Sequence, residues 1–267
     1  MRILNWNIHG ASGIRPAKQD EIIAAILHVS PDVVLLQEVP LGAGFLERLA
    51  AHGYATTEPA KHPMGLWENK RKNAAAIASR LPMTELSPPE GLRFPRLFSV
   101  ARIGGLEIAS CHIPNASGFN SVAKKLGLTP DIKVTHLERA LAWLDGGQGR
   151  LLAGDFNEPD FFRDGRAIGF EATRAADRDR QRTIVDGLMN SDSITHLCGH
   201  LHAKSDEPSH WIKSGPHPDR KGWFDHALST NKGRAWSATY LHELRSSRDE
   251  EGKERYSDHS PLLLVGS

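Results

Sequence analysis

Apolar runs recur along the chain at short intervals, and most are too brief for helices. Residues 2–8, RILNWNI, alternate apolar and polar positions with aromatic and β-branched members, which predicts a strand. After Pro31, every position from Val33 to Leu36 is apolar, as in a strand covered on both faces. Further strands are predicted over Ala74 to Arg80, Leu97 to Ile103, Leu106 to His112, Gly222 to Thr230, Ala235 to Leu241 and Pro261 to Val265. Another closes at Leu151-Leu152-Ala153, and Gly104-Gly105 marks a hairpin between two of the strands. Helical patterns cover residues 18–28, Phe45 to Ala51, and Val134 to Leu144, where Gly146-Gly147 stops the last. Residues 60–73, 115–131, 202–222 and 245–257 read as loops, and 163–182 as a solvated loop or surface helix. Strands that follow one another without an intervening helix favour two packed sheets with helices outside over a simple alternating sheet. No composition break divides residues 1–267, so a single domain is expected.

Composition narrows the partners. The 267 residues carry a net charge of +1, so no global basic field announces nucleic acid, although a local basic groove is compatible with it. Two cysteines, Cys111 and Cys198, are too few for a disulfide framework. The chain opens on a strand rather than a secretory apolar stretch, and no run approaches the ~20 apolar residues of a membrane span. A cytoplasmic protein without a membrane or an obligate protein partner is the expectation.

The candidate chemistry lies where apolar runs end. Asn7 follows Trp6, Glu38 follows Leu36-Gln37, His112 follows Cys111, and Asp225 follows Trp223-Phe224. Asp258-His259 precede Pro261-Leu262-Leu263-Leu264. In LLAGDFNEP, Asp155 and Asn157 stand two apart after a core run, so both side chains point the same way on an extended chain. A carboxylate can take a proton or hold a cation, and a neutral amide can donate to an anionic oxygen. Alone, each is a common turn or capping residue. Together, at the strand ends of one sheet assembly, they can share a cleft.

The segments ILNWNIHG, VVLLQEV, AAAIASRLP, HIPN, LLAGDFNEP, GWFDHALST and YSDHSPLLL resemble the endonuclease/exonuclease/phosphatase superfamily, in its order and over Arg2 to Val265. The resemblance implies a four-layer α/β sandwich, two packed mixed β-sheets flanked by helices, and magnesium-dependent phosphoester hydrolysis, with manganese able to substitute. It implies that Glu38 is the main metal ligand, with Asn7 and Asp258 close to the metal. Asp155 would orient or deprotonate the attacking water, and Asn157 would donate to a phosphoryl oxygen. His259 would contact the scissile phosphate with Asp225 orienting it, and His112 would be a second phosphate contact. Asn73 matches a position where some relatives place a partner for that histidine. His112 itself departs from the abasic-site nucleases, which commonly carry Tyr there, while the stretch around Trp211 is similar to exonuclease III-like chains.

The expected function is therefore a DNA endo- or exonuclease, with hydrolysis of a small-molecule or lipid head-group phosphoester as the alternative. Lys70 and Arg71 in the first basic loop, and Trp211 as a stacking surface, are candidate substrate contacts. His196, His200, His202, His210 and His217 fit no standard zinc spacing.

Overall fold

The computed structural model describes residues 1–9, 16–42, 44–60, 73–114, 132–157, 191–199, 201, 209–212, 220–231, 233–245 and 257–267, with scattered positions between 179 and 187. Strands β1 (Arg2–Asn7), β2 (Val33–Pro40), β3 (Ala55–Thr56), β4 (Asn73–Ser79), β13 (Trp236–Tyr240) and β14 (Leu262–Gly266) form one sheet, in the order β13-β14-β1-β2-β4-β3. Strands β5 (Met83–Leu86), β6 (Phe98–Ile103), β7 (Leu106–His112), β8 (Arg150–Asp155), β9 (Thr195–His196) and β12 (Asp225–Ser229) form the second, in the order β5-β6-β7-β8-β12-β9. Both sheets are mixed: β1 and β2 pair parallel, as do β7 and β8, and their other pairings are antiparallel.

Side-chain alternation builds the layers. Ile3, Val33, Leu35 and Ile77 of the first sheet meet Ala101, Ile103, Ile108, Leu151 and Ala153 of the second in a shared core. The intervening residues face outward and are buried too. Leu4, Val34 and Leu36 pack with Ile22 and Ile26 of α1 (Pro16–Val29) and with Phe45 and Leu49 of α2 (Phe45–Ala51). Val100, Ala109 and Leu152 pack with Leu137, Leu141 and Leu144 of α3 (Ile132–Asp145). Helices, sheet, sheet and helix are the four layers of the expected sandwich. Coverage on both faces explains why the strands read as unbroken apolar runs.

Two details bear on the site. Gly154 lets β7 and β8 approach, since a Cβ there would lie 1.8 Å from the Cys111 carbonyl oxygen. Between the sheets, Gln37 Nε2 donates to Asn5 Oδ1 and to Ser110 Oγ, both at 2.9 Å. That staple joins the sheets next to Glu38.

The structure departs from expectation after residue 200. Within 202–222, expected as a loop, β10 (His210–Ile212) and β11 (Arg220–Gly222) form a two-stranded ribbon. The expected strand over 222–230 splits there, because Trp223 and Phe224, both buried, leave the ladder between β11 and β12, with Trp223 packed into the core between the sheets. Such a short ribbon is held by backbone pairing and leaves little trace in the apolar pattern. The same holds for the two-residue β9.

Candidate active site

Strand direction brings the polar strand ends to one edge of the sandwich. Asn7 ends β1 and sits in register with Gln37 on β2. Asp155 ends β8, in register with His112 at the end of β7 and with Asp225 at the start of antiparallel β12. Asp258 and His259 lead into β14, which pairs antiparallel to β1. Asn73 starts β4, which runs antiparallel to β2.

Local backbone distortion aims the groups. The β2–β4 register shifts between Leu36 and Val39, and Glu38 within that bulge has φ 55°. Such a bulge re-aims a strand side chain. His9 and Asn157 each have φ 49°, so three of the four non-glycine residues with positive φ among those described belong to this edge. Left-handed backbone at such residues costs on the order of 1–3 kcal/mol and persists where the surroundings over-determine it.

The side chains form a connected network. Asp155 Oδ1 accepts the Asn157 backbone N–H at 2.8 Å, while its Oδ2 accepts from Asn7 Nδ2 at 2.8 Å and Asn157 Nδ2 at 3.3 Å. The Nε2 atoms of His112 and His259 each lie 3.8 Å from the same Oδ2. Glu38 Oε1 accepts from Asn7 Nδ2 at 3.4 Å and Oε2 from Asn73 Nδ2 at 3.3 Å. Asn73 thus pairs with Glu38, and His112 Nδ1 is buried without a hydrogen-bond partner among the described residues. Asn157 Nδ2 also donates to the Ile113 carbonyl at 2.9 Å, so its amide is engaged in holding Asp155 and the loop.

Electrostatics favour a cation at His259. Its Nδ1 lies 2.9 Å from Asp225 Oδ2, and both residues are buried. Burial opposes the imidazolium, but Asp225, then Asp155, then Asp258 outweigh it and lift the pKa to about 10. For Asp225, burial pushes the pKa up and His259 pulls it back. With three carboxylates around one imidazole, the proton belongs on the ring. Asp225 is held in turn by Ser209 Oγ, which accepts its backbone N–H at 3.3 Å, and by Tyr240, whose hydroxyl donates to its carbonyl at 2.6 Å. Trp6 Nε1 donates to the His259 carbonyl at 3.1 Å.

The donor set suits a divalent cation. Ligand atoms of Glu38, His112 and Asp155 all lie within 4.8 Å of one another. Two carboxylates this close repel unless positive charge sits between them, and hard cations favour oxygen ligands. Asp258 is at the same edge, with Oδ1 3.0 Å from His9 Nδ1 and 4.0 Å from His259 Nε2. The Asn7 oxygen accepts the His9 N–H at 3.0 Å, which turns its nitrogen toward the carboxylates.

Sequence reasoning did not single out His9, Ser209 or Lys133. Lys133 is buried on α3 and donates to the Asn157 carbonyl at 2.7 Å. Lys70 and Arg71 lie outside the described residues, and of Trp211 only the backbone, in β10, is described. His196 and His226 approach each other at 3.3 Å on the second sheet, apart from the cluster.

The Endonuclease/Exonuclease/phosphatase family matches residues 4–259. No curated protein sequence matches this chain. Among solved structures, an AP endonuclease from Archaeoglobus fulgidus is similar over 99% of this chain and 98% of its own, at 15% identity and TM-score 0.66. The 3'-5' exonuclease NExo from Neisseria meningitidis is similar over 99% of both chains, at 17% identity and TM-score 0.66. TDP2 of D. rerio, solved with a single-strand DNA product, covers 100% of this chain and 98% of its own, at 15% identity and TM-score 0.55. At these identities the likeness establishes the shared sandwich.

Proposed function

The chain belongs to the endonuclease/exonuclease/phosphatase family, and with it to the phosphoester hydrolases, and on that premise we propose that it is a magnesium-dependent phosphodiesterase acting on DNA. The observation that carries the reading is the single Asp155 carboxylate oxygen flanked by two histidine Nε2 atoms at 3.8 Å, beside Glu38. A proton acceptor, two positive or polar donors and a cation site share one edge. That is what hydrolysis of a phosphodiester anion requires. A DNA substrate is supported by neighbours of the same fold that are an AP endonuclease, a 3'-5' exonuclease and a protein solved with a DNA product. We read residues 1–267 as one catalytic domain.

In this reading Glu38 and Asp258 would hold the cation, and Asn7 ties Glu38 to Asp155. The cation held there would supply positive charge to offset that building on the phosphate and the leaving oxygen. Asp155 takes the proton of the attacking water as its oxygen adds to phosphorus and the bond to the leaving oxygen breaks. Asn157 keeps both oxygens of that carboxylate oriented. The His259 imidazolium, fixed by Asp225, donates to a phosphoryl oxygen as charge accumulates, and His112 contacts the same phosphate.

A panel of supercoiled plasmid, single- and double-stranded DNA, RNA, an abasic-site duplex and a chromogenic phosphodiester, with magnesium or manganese, tests the substrate. DNA cleavage whose affinity falls steeply with salt supports the proposal. Turnover of the small ester with silence on every polymer contradicts it.

A further inference from the structure

His9 touches the site twice. It follows β1 directly, where the Ile8 N–H still donates to the Gln37 carbonyl at 3.1 Å. The chain then turns into left-handed backbone at His9, φ 49°. The His9 N–H donates to Asn7 Oδ1, 3.0 Å away, and ring Nδ1 lies 3.0 Å from Asp258 Oδ1. An ionised carboxylate has no proton to give, so Nδ1–H is the donor. The backbone contact decides which end of the Asn7 amide faces the carboxylates, and Asn7 Nδ2 then reaches Asp155 at 2.8 Å and Glu38 at 3.4 Å. The ring contact fixes a third carboxylate, which arrives on a different strand end. One residue in a sparsely populated conformation therefore links to acidic groups at three strand ends, Asp155 and Glu38 through Asn7 and Asp258 directly.

We propose that His9 is a positioning residue of the divalent-cation site: its ring presents the Asp258 carboxylate to the cation, and its backbone N–H sets the Asn7 amide. This rests on the metal-dependent reading of the site above. Groups that hold a ligating carboxylate by hydrogen bonds typically contribute 10–100-fold to metal affinity. The left-handed backbone at His9 coincides with the contact of its ring to Asp258.

Calorimetric titration of the full chain with Mn²⁺, without substrate, tests this directly, alongside the magnesium concentration that half-saturates turnover. His9→Ala should weaken the Mn²⁺ dissociation constant by about 10–100-fold and raise the magnesium requirement in step. His9→Gly relieves the backbone but removes the ring, so it should bind as weakly as the alanine variant. His9→Asn adopts the same backbone readily and can donate to Asp258 through its amide, so it should recover a large part of the affinity. If the alanine variant does not fold, the glycine and asparagine variants carry the same comparison. Unchanged Mn²⁺ affinity in His9→Ala or His9→Gly, with loss in Asp258→Asn, overturns the role of His9 and leaves the proposed function standing. Unchanged affinity in Asp258→Asn as well removes Asp258 from the site, and His9 with it. A wild-type chain that binds no divalent cation overturns the proposed function itself.

Discussion

Replacing Asp225 by Asn removes the nearest charge from His259 while keeping the shape of the pair. The Asp225 carboxylate lies 2.9 Å from Nδ1, against 3.8 Å for Asp155 and 4.0 Å for Asp258 from Nε2. At an effective dielectric of about 20, a unit charge at that nearest distance is worth about 6 kcal/mol, or about four pKa units. Burial, which opposes the imidazolium, stays. The His259 pKa should therefore fall from about 10 to roughly 6. At pH 7.5 the imidazolium share then drops from nearly all to about 3%, so turnover should fall about 30-fold and recover as the pH is lowered toward 5.5. The sign also fixes stability. A folded pKa above the unfolded 6.5 stabilises fully below 6.5, and that gain is lost as pH rises toward 10. The variant should lack this alkaline loss. The assay is histidine NMR titration of both proteins, with pH–rate profiles on whichever phosphodiester is cleaved. A His259 resonance that titrates alike in both, or a turnover loss independent of pH, would refute the argument that Asp225 sets the charge.

Three further outcomes follow from contacts elsewhere. His136 is buried, accepts the Phe94 N–H at Nε2, and is pushed down to about 3 by burial and then by His112. It stays neutral in the fold while the unfolded chain protonates near 6.5, so stability is full above 6.5 and is lost on acidification, by about 2 kcal/mol at pH 5. Urea unfolding at pH 7.5 and 5 should show that loss and His136→Gln should lack it; equal acid slopes would contradict burial as the cause. Gly154→Ala forces a Cβ against the Cys111 carbonyl of the paired strand and should destabilise by about 3 kcal/mol or prevent folding; a urea midpoint near wild type would mean that β7 yields. Glu38→Gln keeps an acceptor for only one of Asn7 and Asn73 and loses the charge, so the magnesium concentration for half-maximal turnover should rise at least about tenfold. Excess magnesium should restore much of the rate, and a defect that no magnesium concentration relieves would make Glu38 structural.

The sequence made the framework of the site legible for a simple reason. A strand buried on both faces is apolar until it leaves the core, so Asn7, Glu38, His112, Asp155, Asp225 and Asp258-His259 stand out as polar ends. Their convergence needs strand directions that hydropathy does not carry. The aim of Glu38 comes from a bulge, and two polar residues in succession, Gln37-Glu38, do not reveal which faces the core. His9 was missed because the left-handed φ falls on the histidine, where sequence would place it on the neighbouring Gly10. Lys133 sits on an amphipathic helix where a lysine ordinarily signals a solvated face, yet it is buried against the Asn157 carbonyl. Asn157 reads as a phosphate-facing amide from its spacing to Asp155, whereas its nitrogen is turned to Ile113 and Asp155. Loop geometry decides that. The ribbon of β10 and β11 went unseen because three-residue strands paired through their backbones need no apolar pattern.

If one carboxylate, Asp155, activates water for attack on a phosphodiester beside a divalent cation, removing its charge slows turnover at every metal concentration. The most direct measurement is cleavage of supercoiled plasmid by wild type and Asp155→Asn, each across a magnesium titration. Wild type should cleave, chelation should abolish cleavage, and turnover should be reduced about 10²–10⁴-fold in the variant at every magnesium concentration. A variant that cleaves within tenfold of wild type, or wild-type cleavage that persists in chelator, would contradict it.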